Sequence, residues 1–162
     1  FSYPLEVASE ILGGGQTGRF YRSLVIEQKV ASSAGAFYSP NARDLATFGV
    51  GVTPRQGVAL ATAEEALDTL IRDVLTEGVT PEEVERAKQR MVNDTIYAAD
   101  NVQTVAGMFA NALALGRTAD DVGAWTNRIN AVTADQINAA LRAVLKAPSS
   151  VTGVLLPLDK AG

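Results

Sequence analysis

The chain has 162 residues with 14 Lys and Arg against 18 Asp and Glu, a formal net charge of −4. That length suits one domain able to bury a core without metal or disulfide staples, and cations scattered along a net-acidic chain argue against a duplex-binding surface. Histidine and cysteine are both absent, which removes the common zinc ligands, imidazole bases and Ser-His or Cys-His nucleophile pairs.

In chain order, Leu5, Ala8, Ile11 and Leu12 lie on one face behind Pro4 and predict a short amphipathic helix that stops at Gly13. Thr17 is expected to open a second helix, with Phe20, Leu24 and Val25 inward and an end near Lys29. Small and β-branched residues from Val30 to Tyr38 then predict a strand. The turn cluster Ser39, Pro40 and Asn41 follows, and a second strand is expected from Leu45 to Thr53. In that strand Phe48, Val50 and Val52 share one face, whereas Thr47, Gly49, Gly51 and Thr53 form a small-residue face open to close approach.

Leu60, Ala63, Leu67, Leu70, Ile71 and Val74 trace a long helix closed by Gly78, with Asp68 four residues before Arg72 for a surface ion pair. Thr80, Pro81 and Glu83 form a capping-box start for a helix that turns Val84, Ala87, Met91, Thr95 and Ala98 inward. Asp100 and Asn101 mark a break before a helical run ending at Gly116. Thr118 with Asp121, and Thr133 with Gln136, announce a short helix and a longer one. Ser150 to Leu156 predicts a last strand, ended by Pro157. The order implies an α+β fold, a mainly antiparallel sheet with helices packed on one side, although three strands are few against about six helical segments. No internal repeat or linker interrupts the chain, and no apolar run approaches the ~20 residues of a membrane span. No basic-then-apolar targeting segment opens it either. The absence of cysteine leaves the compartment open, cytoplasmic or periplasmic. A start at Phe1 without an initiating Met suggests a piece of a longer polypeptide.

Four sets of residues could carry chemistry. Gly13 and Gly18, with Arg19 after them, fall one residue type short of a phosphate-cradling loop. Such a loop needs a strand feeding it, a Lys and a hydroxyl. Here the feeder is helical, Arg19 replaces the Lys and Phe20 stands where the hydroxyl belongs. The glycines are better read as a helix stop and a tight joint through Gly13, Gly14 and Gly15. The carboxylates Glu64, Glu65 and Asp68 lie on a solvent face, and Glu82, Glu83 and Glu85 crowd a helix's first turn, where negative charge complements the dipole. Arg86, Lys88 and Arg90 read as a solvated basic face, with anion binding as the alternative. Trp125, the one tryptophan, fits helix docking better than a ligand platform. No catalytic, cofactor-binding or metal residue is therefore expected within the segment.

The run EILGGGQTGRFYRSLVIEQKVASSAGAFY, followed at ordered spacing by GVTPEEVERAKQRM, ALALGRTADDVGAW, INAVTADQINAAL and SSVTGVLLP, resembles the C-terminal domain of insulinase/pitrilysin-type zinc metallopeptidases, in their bacterial processing-protease-like branch. The resemblance implies a parent chain of two similar α+β domains closing around a peptide-holding chamber, with residues 1–162 as the non-catalytic C-terminal domain lacking its first strands. In this family an inverted H-x-x-E-H motif and a distal glutamate hold zinc, all in the N-terminal domain. None of those residues occurs here, so the segment alone should bind no catalytic zinc and cleave nothing.

The family's opposing domain often supplies an Arg and a Tyr seven residues apart that steady the substrate backbone or the developing oxyanion, and the resemblance places Val25 and Ser32 at those positions. Neither can substitute, which implies a zinc-bearing subunit whose chamber a second subunit completes with the Arg/Tyr pair. Missing strands would leave sheet edges open to self-association. A rival expectation is an assembly protein that kept the fold without activity, as the core subunits of the respiratory cytochrome complex do. A nucleotide-binding module is a distant third.

Overall fold

The computed structural model describes residues 1–40, 44, 46–146 and 149–156. Helix α1 spans Ser2–Gly13, and a 3-10 turn at Gly15–Thr17 leads into α2 at Arg19–Tyr21, which widens into a π-helical turn over Arg22–Glu27. Strands β1 (Ala31–Tyr38) and β2 (Phe48–Pro54) follow, then helices α3 (Leu60–Glu77), α4 (Pro81–Ala98), α5 (Val102–Ala114), α6 (Ala119–Gly123), α7 (Trp125–Asn130) and α8 (Ala134–Val144). The strands pair antiparallel in the register Ala36 to Val50 and Tyr38 to Phe48. Ala34, Ala36, Phe48, Val50 and Val52 pack toward the core, so one side of the sheet is covered by helices, as expected of an α+β fold.

The core forms where α1 is gripped between β1, α4 and α8. Val7, Ala8 and Leu12 of α1 are wholly buried, as are Phe20, Leu24, Ile129 and Ile137. At roughly 1.5–3 kcal/mol for each large apolar side chain removed from water, these contacts are the main term holding α1 in place. Three of the helices start as the local chemistry predicts. Thr80, Thr118 and Thr133 each accept from the N–H three residues on, and Glu83, Asp121 and Gln136 return the bond to the cap N–H. Gly78 ends α3 at φ 82°, a left-handed conformation natural to glycine. Asn101 caps α5 by accepting from the N–H groups of Gln103 and Thr104.

Several sequence expectations need correcting. Thr17 does not cap α2; its hydroxyl donates to the Gly14 carbonyl at 3.0 Å, and Gly18 occupies the cap position without a side chain. The second strand begins at Phe48, with Leu45 outside the described residues. Arg72 does not bond the Asp68 carboxylate; its guanidinium reaches the Asp68 backbone carbonyl at 3.3 Å and the Thr69 hydroxyl at 2.9 Å, closer acceptors on the same helix.

Residues 150–156 form no strand, and Pro157 lies outside the described residues. Val151 and Leu155 stand almost fully exposed there. β-propensity alone does not make a strand, because the backbone groups need a neighbouring edge to pair with. Among the described residues the sheet therefore has two strands, not three.

Candidate functional site

The glycine joint brings its neighbours to one cleft. α1 ends so close to β1 that a Cβ on Gly13 would overlap the backbone N and O of Ala36. The chain then turns through Gly14 and Gly15, the latter at φ 60°, and re-enters the core at the fully buried Phe20. Across this joint α2, the π-helical turn, α3 and α4 enclose a cleft of about 680 Å³. Arg19, Arg22, Arg86 and Arg90 line it together with Glu27, Glu83, Gln16, Thr17 and Ser23, over apolar patches at Ile11 and Leu70.

Two of the arginines are committed to the fold. Arg19 donates from Nε to Glu83 Oε1 at 3.1 Å and from Nη2 to Glu83 Oε2 at 2.5 Å, and both its Nη atoms reach the Gly78 carbonyl at 3.2 Å. Burial desolvates the Glu83 carboxyl and opposes its ionisation. The hydrogen bonds from Arg19 and from the Thr80 N–H outweigh that and, with the charges of Arg19 and Arg86, hold its pKa below the ordinary value. Arg90 donates to Glu10 Oε1 at 2.8 Å, tying α4 to α1.

The expected solvated basic face is thus divided. Lys88 turns inward, only 7% exposed, and its Nζ bonds Glu85 Oε1 at 2.9 Å and the Asn130 carbonyl at 3.1 Å. Arg86 and Arg90 join Arg19 and Arg22 at the cleft. Glu64, Glu65 and Asp68 are exposed on α3, as the periodicity indicates.

Val25 and Ser32, the positions the resemblance singles out, stand elsewhere in the fold. Val25 is half-buried against the core from the π-helical turn. Ser32 is exposed on β1, where a register irregularity lies between Ala31 and Ser33, and its hydroxyl donates toward the carbonyls of Thr53 and Pro54 at 3.3 and 3.4 Å. Neither lines the cleft.

A second cleft, of about 440 Å³, lies between the start of α1 and helices α5 to α7, and contains a carboxylate that sequence reasoning missed. Glu6 accepts from Trp125 Nε1 at 2.9 Å and from the Ser2 hydroxyl at 3.3 Å. Trp125 is therefore a docking residue, half-buried against the core with its polar tip on α1. Burial pushes the Glu6 carboxyl up, against the opposing effect of Trp125, Ser2 and the Arg117 charge. Nearby, the Thr118 N–H, then Arg128 and the Thr118 hydroxyl, hold Asp121 at about 2. Because the folded pKa of Glu6 is raised, its share of stability is full below 4.5 and is lost as pH rises through the folded value. Glu6→Gln keeps an acceptor for Trp125 and removes that loss. The variant should melt higher than the parent at pH 7 and at the same temperature at pH 4; an equal difference at both pH values would refute the assignment.

The donor set does not suit a catalytic zinc ion. The sequence has no His or Cys, and among the described residues no group of three or more carboxylates could hold a metal. Among the described residues no helix is long and apolar enough to cross a membrane.

Comparison with known proteins sets this arrangement in context. No curated protein matches the chain. Among solved structures, a protease from Helicobacter pylori superposes with a TM-score of 0.82 at 17% identity, covering 90% of this chain and 35% of that one. The inactive peptidase domain of a candidate zinc protease from Bordetella parapertussis gives 0.87 at 22% identity, over 99% and 84%. A peptidase M16 inactive domain from Pseudomonas fluorescens gives 0.74 at 16% identity, over 89% and 34%. The chain thus spans about a third of the Helicobacter and Pseudomonas chains and most of the Bordetella domain, and the likeness shows a shared fold. The model of the peptidase M16 inactive-domain family matches residues 2–91, from α1 through the glycine joint and the sheet to the arginines of α4. The chain belongs to the peptidase M16 inactive-domain family.

Proposed function

We propose that residues 1–162 act as the non-catalytic C-terminal half of a zinc metalloendopeptidase. The domain would wall a chamber that confines extended peptides, while an N-terminal domain with the H-x-x-E-H motif holds the zinc. The observation that carries this is the inactive-domain family match, joined to a donor set unsuited to hydrolytic zinc. Val25 and Ser32, standing where the resemblance expects Arg and Tyr, support a chamber completed by a second subunit. A valine side chain offers no donor, and a serine hydroxyl on β1 is too short to replace a tyrosine.

The test is reconstitution. The purified chain alone should leave quenched fluorescent peptides intact. The same chain joined to its parent's N-terminal domain, with the partner subunit present, should cleave them in a chelator-sensitive manner. Cleavage by the isolated chain would refute the proposal, as would a parent sequence without H-x-x-E-H, which would favour a fold-retaining assembly protein.

A further inference from the structure

The arginine-lined cleft holds more positive charge than its own fold uses. Arg19 and Arg90 are occupied by Glu83 and Glu10, the first pair mostly buried and the second with Arg90 more than a third exposed. Arg22 and Arg86 are not. Among the described residues the Arg22 side chain has only Glu27, at 3.9 Å with both side chains more than 60% exposed, a contact that water and salt nearly cancel. Arg86 makes no hydrogen bond or ion pair among the described residues. Gln16, at the tip of the glycine joint, adds an exposed amide on the same wall.

Arg22 and Arg86, neither held by a hydrogen bond from its guanidinium among the described residues, stand with the Gln16 amide over Ile11 and Leu70, a donor set that would suit a planar anion flanked by apolar matter, with Glu27 and Glu83 as the opposing charges on the same lining. The net charge of −4 repels a polyanion, whereas a single carboxylate responds mainly to charges within about 10 Å. The volume lies within the range of ligand pockets, roughly 300–1,000 Å³.

We propose that this cleft is a subsite for the carboxylate of an acidic, extended peptide, with Arg22 and Arg86 as its clamps and Gln16 as an auxiliary donor. The carboxylate could belong to a Glu or Asp side chain or to a peptide C-terminus, and both present the same two oxygens. The choice of a peptide as the carrier rests on the chamber-wall function proposed above; the anion site rests on the cleft itself.

Fluorescence anisotropy on the full chain tests this with three labelled hexapeptides. One is amidated and carries two Glu; one is its amidated Gln counterpart; one is the Gln peptide with a free C-terminus. At least one carboxylate peptide should bind about tenfold more tightly than the amidated Gln peptide, and which of the two does so identifies the carboxylate's source. Arg22→Gln and Arg86→Gln should each weaken that peptide about tenfold, the scale of one charge-assisted hydrogen bond. Both should leave the amidated Gln peptide unchanged, and Arg72→Gln, on the outer face of α3, should have no effect.

Equal binding of all three peptides, or equal losses from Arg72→Gln and Arg86→Gln, would overturn the anion site while leaving the chamber wall intact. Inorganic phosphate displacing the bound peptide at a lower concentration than acetate would overturn the carboxylate assignment. Binding of none of the peptides would overturn the subsite, whereas the chamber wall stands or falls on the reconstituted cleavage.

Discussion

Gly13→Ala is expected to cost about 3 kcal/mol of stability, the upper end of what overpacking a close contact usually costs. The added Cβ would fall on the backbone N and O of Ala36, and no rotamer change relieves an overlap with a main chain. β1 cannot easily retreat, because Ala36 is paired with Val50 and its side chain packs on the core. α1 cannot retreat either without uncovering Val7, Ala8 and Leu12.

The neighbouring glycines offer contrasts. A Cβ on Gly15 meets nothing, but its φ of 60° penalises other residues, so Gly15→Ala should lose only about 1 kcal/mol and Gly15→Asn less. Urea unfolding with unchanged slope reads these differences directly as midpoint shifts. If Gly13→Ala and Gly15→Ala shifted the midpoint equally, the close crossing of α1 over β1 would not be what requires glycine at position 13.

The glycines also mark how far the sequence could be read. A helix stop and joint at Gly13 was legible from helical periodicity and from what a phosphate loop would lack. The reason for it, contact with Ala36, was not, since nothing local reports where a strand will lie. The capping boxes at Thr80, Thr118 and Thr133 were fully legible, because each bond joins residues three apart.

By contrast, Arg19 meets Glu83 across 64 positions and Arg90 meets Glu10 across 80, so the cleft exists only after packing. Lys88 was misplaced although a signal existed. It lies four residues after Val84 and three before Met91, on the stripe those residues turn inward, and a long amine there must find buried acceptors. Ser150 to Leu156 failed for the opposite reason: its composition favours a strand, but pairing depends on an edge the local sequence does not specify.

Arg19→Met should destabilise the domain by about 2–3 kcal/mol. Removing one partner of a buried pair costs roughly 3–5 kcal/mol, and the residual 23% and 20% exposure of the Arg19 and Glu83 side chains moderates it. The loss comes from what remains. Glu83 keeps the Thr80 N–H but loses its counter-charge in a desolvated setting, and the Gly78 carbonyl loses both guanidinium donors.

The pH dependence separates this from simple loss of packing. Because the folded pKa of Glu83 lies below 4.5, its stabilising contribution is present above that value and is lost as pH falls through the folded one. The deficit of Arg19→Met should therefore be largest near neutrality and shrink as the medium is acidified below 4.5 and through the folded value, where the parent's own Glu83 protonates. Glu83→Gln, which retains an acceptor for the helix cap, should lower stability less than Arg19→Met, and adding it to Arg19→Met should recover part of the deficit by removing the stranded charge. A deficit constant from pH 3 to pH 8 would mean that Arg19 contributes through its methylene stem alone and that the ion pair between α2 and α4 is energetically idle.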